Sequence, residues 1–198
     1  TKPSGLIYTG GMVSAEGCYT VGYPLAVVGS MRGERAVAEQ GLAQLLGRRD
    51  RLWHAGALWL RHDDKDRRTF RNWARGVTWY FLGMVRALPH LRAVGVSVGD
   101  LEDEIRRTAV WVRPYQRTDG LWNCFLDEAA TQADTSGSAG IAAALALGAK
   151  FGVLGDEDRA AALRALPALE ARLTPDGYLT GVAQSNRGGE ALQRSDYR

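Results

Sequence analysis

The chain has 198 residues, 45% of them hydrophobic and 24% charged, with a formal net charge of +3. That is the make-up of one ordinary globular domain, and with acids and bases interspersed and no basic stripe among aromatics, nucleic-acid binding is not expected. No apolar run approaches the roughly 20 residues that span a bilayer and no signal peptide opens the sequence, so no membrane partner is expected and the expected location is cytoplasmic.

Helical periodicity dominates. A first helix is expected from Gly17 to Met31, with Cys18, Val21, Leu25 and Val28 on one face and Arg32-Gly33 as the interruption. A second runs from Glu34 to Leu46 and ends at Gly47, a plausible cap. Residues 48–71 read as irregular and charged, and carry His54 and His62. The third helix, Asn72 to Leu88, has the clearest stripe (Trp73, Val77, Tyr80, Met84, Leu88), and Pro89 should stop it. A fourth spans Leu101 to Tyr115 with Asp100 as its cap. The fifth, Thr135 to Phe151, is rich in Ala and Gly and should pack centrally, with Gly137 and Ala139 there for close approach. The sixth, Asp156 to Leu173, contains Pro167 and should kink or split there.

A turn at Asp119-Gly120-Leu121-Trp122 is echoed by Asp176-Gly177-Tyr178, each after a helix, as in stacked helical hairpins. Strands are hard to find beyond Leu58–Leu60 and Leu121–Phe125. The expected class is all-α. Cys18 and Cys124 are far apart and form no CxxC pattern, so neither a disulfide framework nor a zinc site is expected.

Four stretches together resemble the unsaturated glucuronyl and rhamnogalacturonyl hydrolases. Trp73-Ala74-Arg75-Gly76-Val77-Thr78-Trp79 is similar to that family's W-x-R-G-x-x-W. Asp119-Gly120-Leu121-Trp122, Asp127 and Asp134-Thr135-Ser136-Gly137-Ser138-Ala139 resemble its D-G-x-W and E-T-S-G-S-A, with Asp134 where Glu is usual. His62-Asp63-Asp64 takes the place of a His-Gly-Trp-Asp segment. Glu16-Gly17-Cys18-Tyr19, running on to Pro24-Leu25-Ala26, resembles the Asp-x-Leu-Tyr-Met…Pro-Phe-Leu stretch that carries the catalytic acid. There Glu16 replaces Asp, and the match needs one extra residue between Glu16 and Pro24. Arg194-Ser195-Asp196-Tyr197-Arg198 looks like a segment that runs on into a last helix.

The resemblance implies an (α/α)6 toroid of helical hairpins, with residues 1–198 as an incomplete part of that one domain. It implies removal of a 4,5-unsaturated uronic acid from lyase-generated oligosaccharides: an acid protonates C4, water adds at C5, and the hemiketal opens. No metal or other cofactor is implied. Glu16 would be the acid. Partial burial among apolar groups raises a carboxyl pKa and lets it hold a proton, and Glu16 is flanked by Cys18, Tyr19 and Val21. Arg75 would hold the substrate carboxylate through a two-pronged donor. Trp73 and Trp79 would offer flat apolar surface, His62 would orient the uronate or a water, and Ser136 and Ser138 would border the pocket.

Each residue has a plainer reading taken alone. Glu16 suits a helix N-terminus, Trp73 and Trp79 the core, and Arg75 a salt bridge. His62 and His54 suit the surface, Ser136 and Ser138 helix capping, and Asp119 and Asp176 turn formation. The six helices expected here are half of the twelve in six hairpins, so a broad apolar face should stay open unless further chain or a second copy in a homo-oligomer covers it. A non-catalytic carbohydrate-binding or scaffold protein and another toroid enzyme, such as a sugar epimerase, are the rival readings.

Overall fold

The computed structural model describes residues 5–198. Three helical hairpins are laid side by side. Helices α1 (Tyr23–Arg32) and α2 (Arg35–Leu52) form the first, α3 (Ala74–Ala93) and α4 (Gly99–Val112) the second, and α5 (Thr135–Lys150) and α6 (Asp156–Glu170) the third. A short α7 (Gly189–Ser195) follows. Helix α3 packs against both α1 and α5, giving an inner row α1–α3–α5, while α2, α4 and α6 back that row from outside. Tyr80, Phe81, Met84, Leu88 and Leu91 of α3 are fully buried and form the middle of the core. Gly137 permits the α3–α5 approach, since a Cβ there would lie 2.5 Å from that of Ala74.

Several sequence expectations change. The region read as irregular holds a sheet: β1 (Met12–Ser14) and β4 (Arg68–Arg71) flank β3 (Ala57–Asp63), and β2 (Trp53–His54) pairs with its start, all antiparallel. Strand β3 is buried on both faces along most of its length, so it lacks the apolar–polar alternation that marks a half-buried strand. Helix α2 does not stop at Gly47 but continues to Leu52. Gly47 makes room for Leu6, whose Cδ2 would be 2.6 Å from a Cβ there. Helix α3 runs through Pro89, because Leu88 and Leu91 are buried on either side of it and their packing outweighs the roughly 3 kcal/mol that proline costs a helix interior.

Helix α4 starts at Gly99, so Asp100 sits in its first turn and is not its cap, and Arg113–Tyr115 form a separate 3₁₀ turn. Helix α6 is not split: Pro167 falls near its C-terminal end. The segment Leu121–Phe125 makes only isolated bridges, although the two echoed turns are alike, closed by Gln116↔Trp122 and Leu173↔Leu179.

Cys18 and Cys124 are free and buried. Burial pushes the Cys18 thiol up to about 12; burial, with the nearby Asp134 charge adding to it, does the same to Cys124. Neither carries appreciable thiolate near neutral pH. A thiol-labelling reagent at about pH 8 should therefore modify neither cysteine in the native protein and both after denaturation. Rapid native labelling would contradict the packing around them.

Candidate active site

The N-terminal end of α3 and the turn that precedes α1 border a cleft of about 350 Å³. Glu16, Trp73, Arg75 and Trp79 line it, together with residues 182–186 and Arg198. Four of the residues singled out in the sequence thus share one wall. Ser136, Ser138 and His62 do not line it.

Glu16 stands at the turn between β1 and α1. Its backbone N–H donates to Ser14 Oγ (3.2 Å), and its carbonyl accepts from Thr20 Oγ1 (2.9 Å). Among the described residues no donor engages its half-buried carboxylate, which is left for a ligand. The first expected helix is interrupted just beyond it: Cys18–Gly22 form a π-helical turn before α1 begins. A π turn takes up one residue more than an α turn.

Arg48 holds this turn from below. Only 1% exposed, it donates from Nε to Ser14 O (3.2 Å), from Nη2 to Ile7 O (2.9 Å) and from Nη1 to Gln44 O and Oε1 (3.0 and 2.8 Å). Burial lowers its pKa. A Cβ on Gly17 would come within 2.2 Å of its Nε, so the residue after Glu16 has to be glycine for the guanidinium to fit. In the sequence Arg48 falls at the start of the stretch 48–71 read as irregular and charged. The signal overlooked was its place on the stripe Ala38, Gly41, Leu45, Arg48, Leu52, all buried in α2.

Arg75, in the first turn of α3, lies over the Trp73 ring (4.9 Å to the centroid). Its Nη2 donates to the carbonyls of Ala183 and Gln184, the latter at 3.0 Å. Its Nε faces Asp134 Oδ2 at 3.8 Å. Half of the expected two-pronged donor is thus committed to the strand-like segment 182–184. Among the described residues no protein hydrogen bond engages Nη1, the nitrogen left for a carboxylate. Trp73 is only 2% exposed and forms a floor, so the accessible ring is that of half-buried Trp79, which meets Tyr19 at 5.4 Å.

Asp134, fully buried, is the true cap of α5: its Oδ1 accepts from the N–H and hydroxyl of Ser136 (3.2 and 2.8 Å) and from Ala183 N (3.1 Å). Ser136 serves that cap. Ser138 Oγ is fully buried and accepts from Trp122 N (2.9 Å). Both serines are therefore structural where they stand. His62 is the next-to-last residue of β3, 6% exposed, with Nε2 2.9 Å from Asp66 Oδ1. It packs inside the sheet and not on the cleft, whereas His54 is exposed on β2.

The far wall comes from the last segment, whose role the sequence did not suggest. It is fastened by Val182–Arg198 backbone hydrogen bonds (2.8 and 2.9 Å) and by α7, where Arg194 pairs with Glu128 at 2.7 and 2.8 Å. That guanidinium holds the Glu128 carboxyl below its ordinary 4.5. A depressed folded pKa contributes stability above the unfolded value, and that contribution is lost as pH falls through the folded one. Moving from about pH 6 to about pH 3 should lower the hydrogen-exchange protection of residues 182–198, corrected for intrinsic rates. A half-exposed pair is worth under about 1 kcal/mol, so the loss should be at most about fivefold. Unchanged protection would show that the pair does not fasten this wall.

The family model for Glycosyl Hydrolase Family 88 matches residues 15–197, from the turn that bears Glu16 to the residue before the last. The chain belongs to Glycosyl Hydrolase Family 88. This family 88 chain is 37% identical over 122 residues to the 24.9 kDa protein in the picA locus of Rhizobium radiobacter, a match covering 56% of this chain and 52% of that one. It is similar in structure to a family 105 glycoside hydrolase of C. acetobutylicum (TM-score 0.86, 17% identity, 98% of this chain and 63% of that). It is also similar to the unsaturated glucuronyl hydrolase of Bacillus sp. GL1 (TM-score 0.74, 20% identity, 94% and 57%). The fold is that of the six-hairpin glycosidases, all-α with a small added sheet, and this chain holds three of the hairpins. It spans about half the length of the curated relatives it matches. No helix among the described residues is long and apolar enough to cross a membrane.

Proposed function

We propose that this chain forms the acid-bearing wall of a glycoside hydrolase that removes a 4,5-unsaturated uronic acid from oligosaccharides left by polysaccharide lyases. The observation that carries the reading is the meeting of Glu16, Arg75 and Trp79 in one cleft, with the Glu16 carboxyl free of protein donors. In the protonated state Glu16 delivers its proton to C4 of the enol ether, and water adds at C5. The C5 hemiketal so formed opens by breaking the C5–O5 bond to a 5-keto group. The hemiacetal this leaves at C1 collapses to an aldehyde, breaking the C1–O bond and releasing the aglycone as an alcohol. The proton lost by the water returns to Glu16. Arg75 Nη1 pairs with the C6 carboxylate and Trp79 packs on the ring.

The test is the ultraviolet absorbance of an unsaturated disaccharide, which disappears as the conjugated double bond is hydrated. Loss of that absorbance on adding the protein supports the proposal, and an unchanged signal across glucuronyl, rhamnogalacturonyl and ulvan-type substrates overturns it. A second reading, a non-catalytic carbohydrate-binding protein of the same architecture, is favoured by the engagement of Arg75 Nη2 with the protein's own carbonyls. Calorimetry showing saturable binding without consumption of the double bond would select it. We place the protein in the cytoplasm, a location supported by its two free thiols.

A further inference from the structure

Behind the cleft two buried polar atoms face each other, and neither has a hydrogen-bond partner: Arg75 Nε and Asp134 Oδ2, 3.8 Å apart. Such orphans are uncommon in folded proteins. Asp134 is fully buried, and among the described residues it is the sole carboxylate paired with the Arg75 guanidinium. Glycine at position 137 leaves room for Oδ2, since a Cβ there would lie 3.1 Å from it. The other oxygen, Oδ1, is occupied at the start of α5 by Ser136 N and Oγ, and it also accepts from Ala183 N at 3.1 Å. Arg75 Nη2 donates to the carbonyl of that same Ala183. Nε and Nη2 lie along one edge of the planar guanidinium fork. Asp134 and the Ala183 and Gln184 carbonyls therefore share that edge, and Nη1 is left for the cleft.

We propose that Asp134 is a positioning residue, which sets the plane of the Arg75 guanidinium through the Nε edge and through Ala183 and so aims Nη1 at the substrate carboxylate. Helix capping does not require this arrangement. A cap needs one acceptor oxygen, which serine, threonine or asparagine also supplies, and Asp134 has a second, buried oxygen turned toward a cation. The kinetic consequence rests on the hydrolase reading. Two effects of the Asp134 charge oppose each other there. It repels an incoming carboxylate, and it fixes the donor that receives that carboxylate. Without the charge an anionic sugar is still bound, but by a guanidinium free to swing, and C4 is displaced from Glu16. The proton transfer suffers and the affinity does not.

Asp134→Asn tests the proposal, because the amide oxygen keeps the three Oδ1 hydrogen bonds while the charge beside Nε is lost. Segment 180–184 stays fastened by Thr135, whose N–H donates to Gly181 O (3.1 Å) and whose Oγ1 donates to Thr180 O (2.8 Å). On an unsaturated disaccharide kcat should fall by about 10–100-fold, since a misplacement of about 1 Å can cost about 100-fold, and KM should not rise. In an Arg75→Lys background, which keeps a cation without the Nε edge, the same substitution should change kcat by less than about twofold, as expected of a residue that acts through another. An equal loss in both backgrounds overturns the proposal, and so does a raised KM at unchanged kcat. A second readout needs no turnover. The Arg75 Nε–H, assigned in heteronuclear NMR spectra by its absence from Arg75→Lys, should exchange with solvent roughly tenfold faster or more in Asp134→Asn, because the charge opposing it in a low-dielectric setting is gone. Unchanged exchange overturns the proposal. A wild-type protein without turnover counts against the hydrolase reading, and the exchange measurement then decides the role of Asp134 by itself.

Discussion

Glu16→Gln should abolish hydration of an unsaturated disaccharide, lowering the rate by about 10²–10⁴-fold, the usual contribution of a positioned general acid. The amide keeps the size and hydrogen-bonding shape of the carboxyl but has no proton to give to C4. The substitution should leave folding intact, because among the described residues the Glu16 carboxylate holds no structural hydrogen bond; its contacts with Ser14 and Thr20 use the backbone. Glu16→Asp is the informative companion. It retains the acid but draws it back by roughly one bond length, and a misplacement of about 1 Å can cost about 100-fold. Because the π turn after Glu16 sets where the backbone lies, the longer side chain belongs to this particular turn, and Asp should not rescue. The measurement is the decay of substrate absorbance under single-turnover conditions, with thermal melts as the folding control. A Glu16→Gln protein that turns over at the wild-type rate would remove Glu16 from the mechanism.

Arg48→Met should lower stability by about 4 kcal/mol, since hydrogen bonds to charged groups contribute about 1.5–3 kcal/mol each and buried carbonyls left unpaired add to the cost. Methionine fills much of the volume but offers no donor to Ser14 O, Ile7 O or Gln44 Oε1, which the guanidinium now satisfies together. In a chain of this length the midpoint of thermal unfolding should fall by about 8–16 °C. The loss should also reach the cleft, because Ser14 O anchors the turn that carries Glu16, so activity should drop in protein that is still folded at low temperature. Lysine at position 48 should recover little, as one ammonium cannot reach three groups set around a planar fork. Urea titration reads the stability directly. A change below about 1 kcal/mol would mean that water replaces the guanidinium at these carbonyls and that the turn is held by other contacts.

Local pattern was enough for much of this protein. The apolar stripes of α1, α3 and α4 and the Ala- and Gly-rich run of α5 located those helices, with the start of α1 at Tyr23 instead of Gly17, because a helix that buries one face records it with 3.6-residue periodicity. The resemblance carried by Trp73, Arg75, Trp79 and Glu16 picked out four residues that line one cleft, with Arg75 in the first turn of α3 and Trp79 in its second. The π turn at Cys18–Gly22 was not legible from the same pattern.

Contacts between residues distant in sequence decided the rest, and a one-dimensional pattern does not carry them. Strand β3 is buried on both faces and so lost the alternation that would have marked it. Pro89 stays helical because its neighbours pack against other helices. Ser138 and His62 matched the motifs, but folding turned Ser138 toward Trp122 and His62 toward Asp66. Arg48 fell at the start of the stretch read as irregular and charged, and only folding brought Ser14, 34 positions earlier, over it. The final segment, with no helical stripe of its own in residues 182–186, became the second wall only through Arg75, Asp134 and Val182. Periodicity reports how a segment faces its surroundings, and only the tertiary structure supplies the partner on the other side.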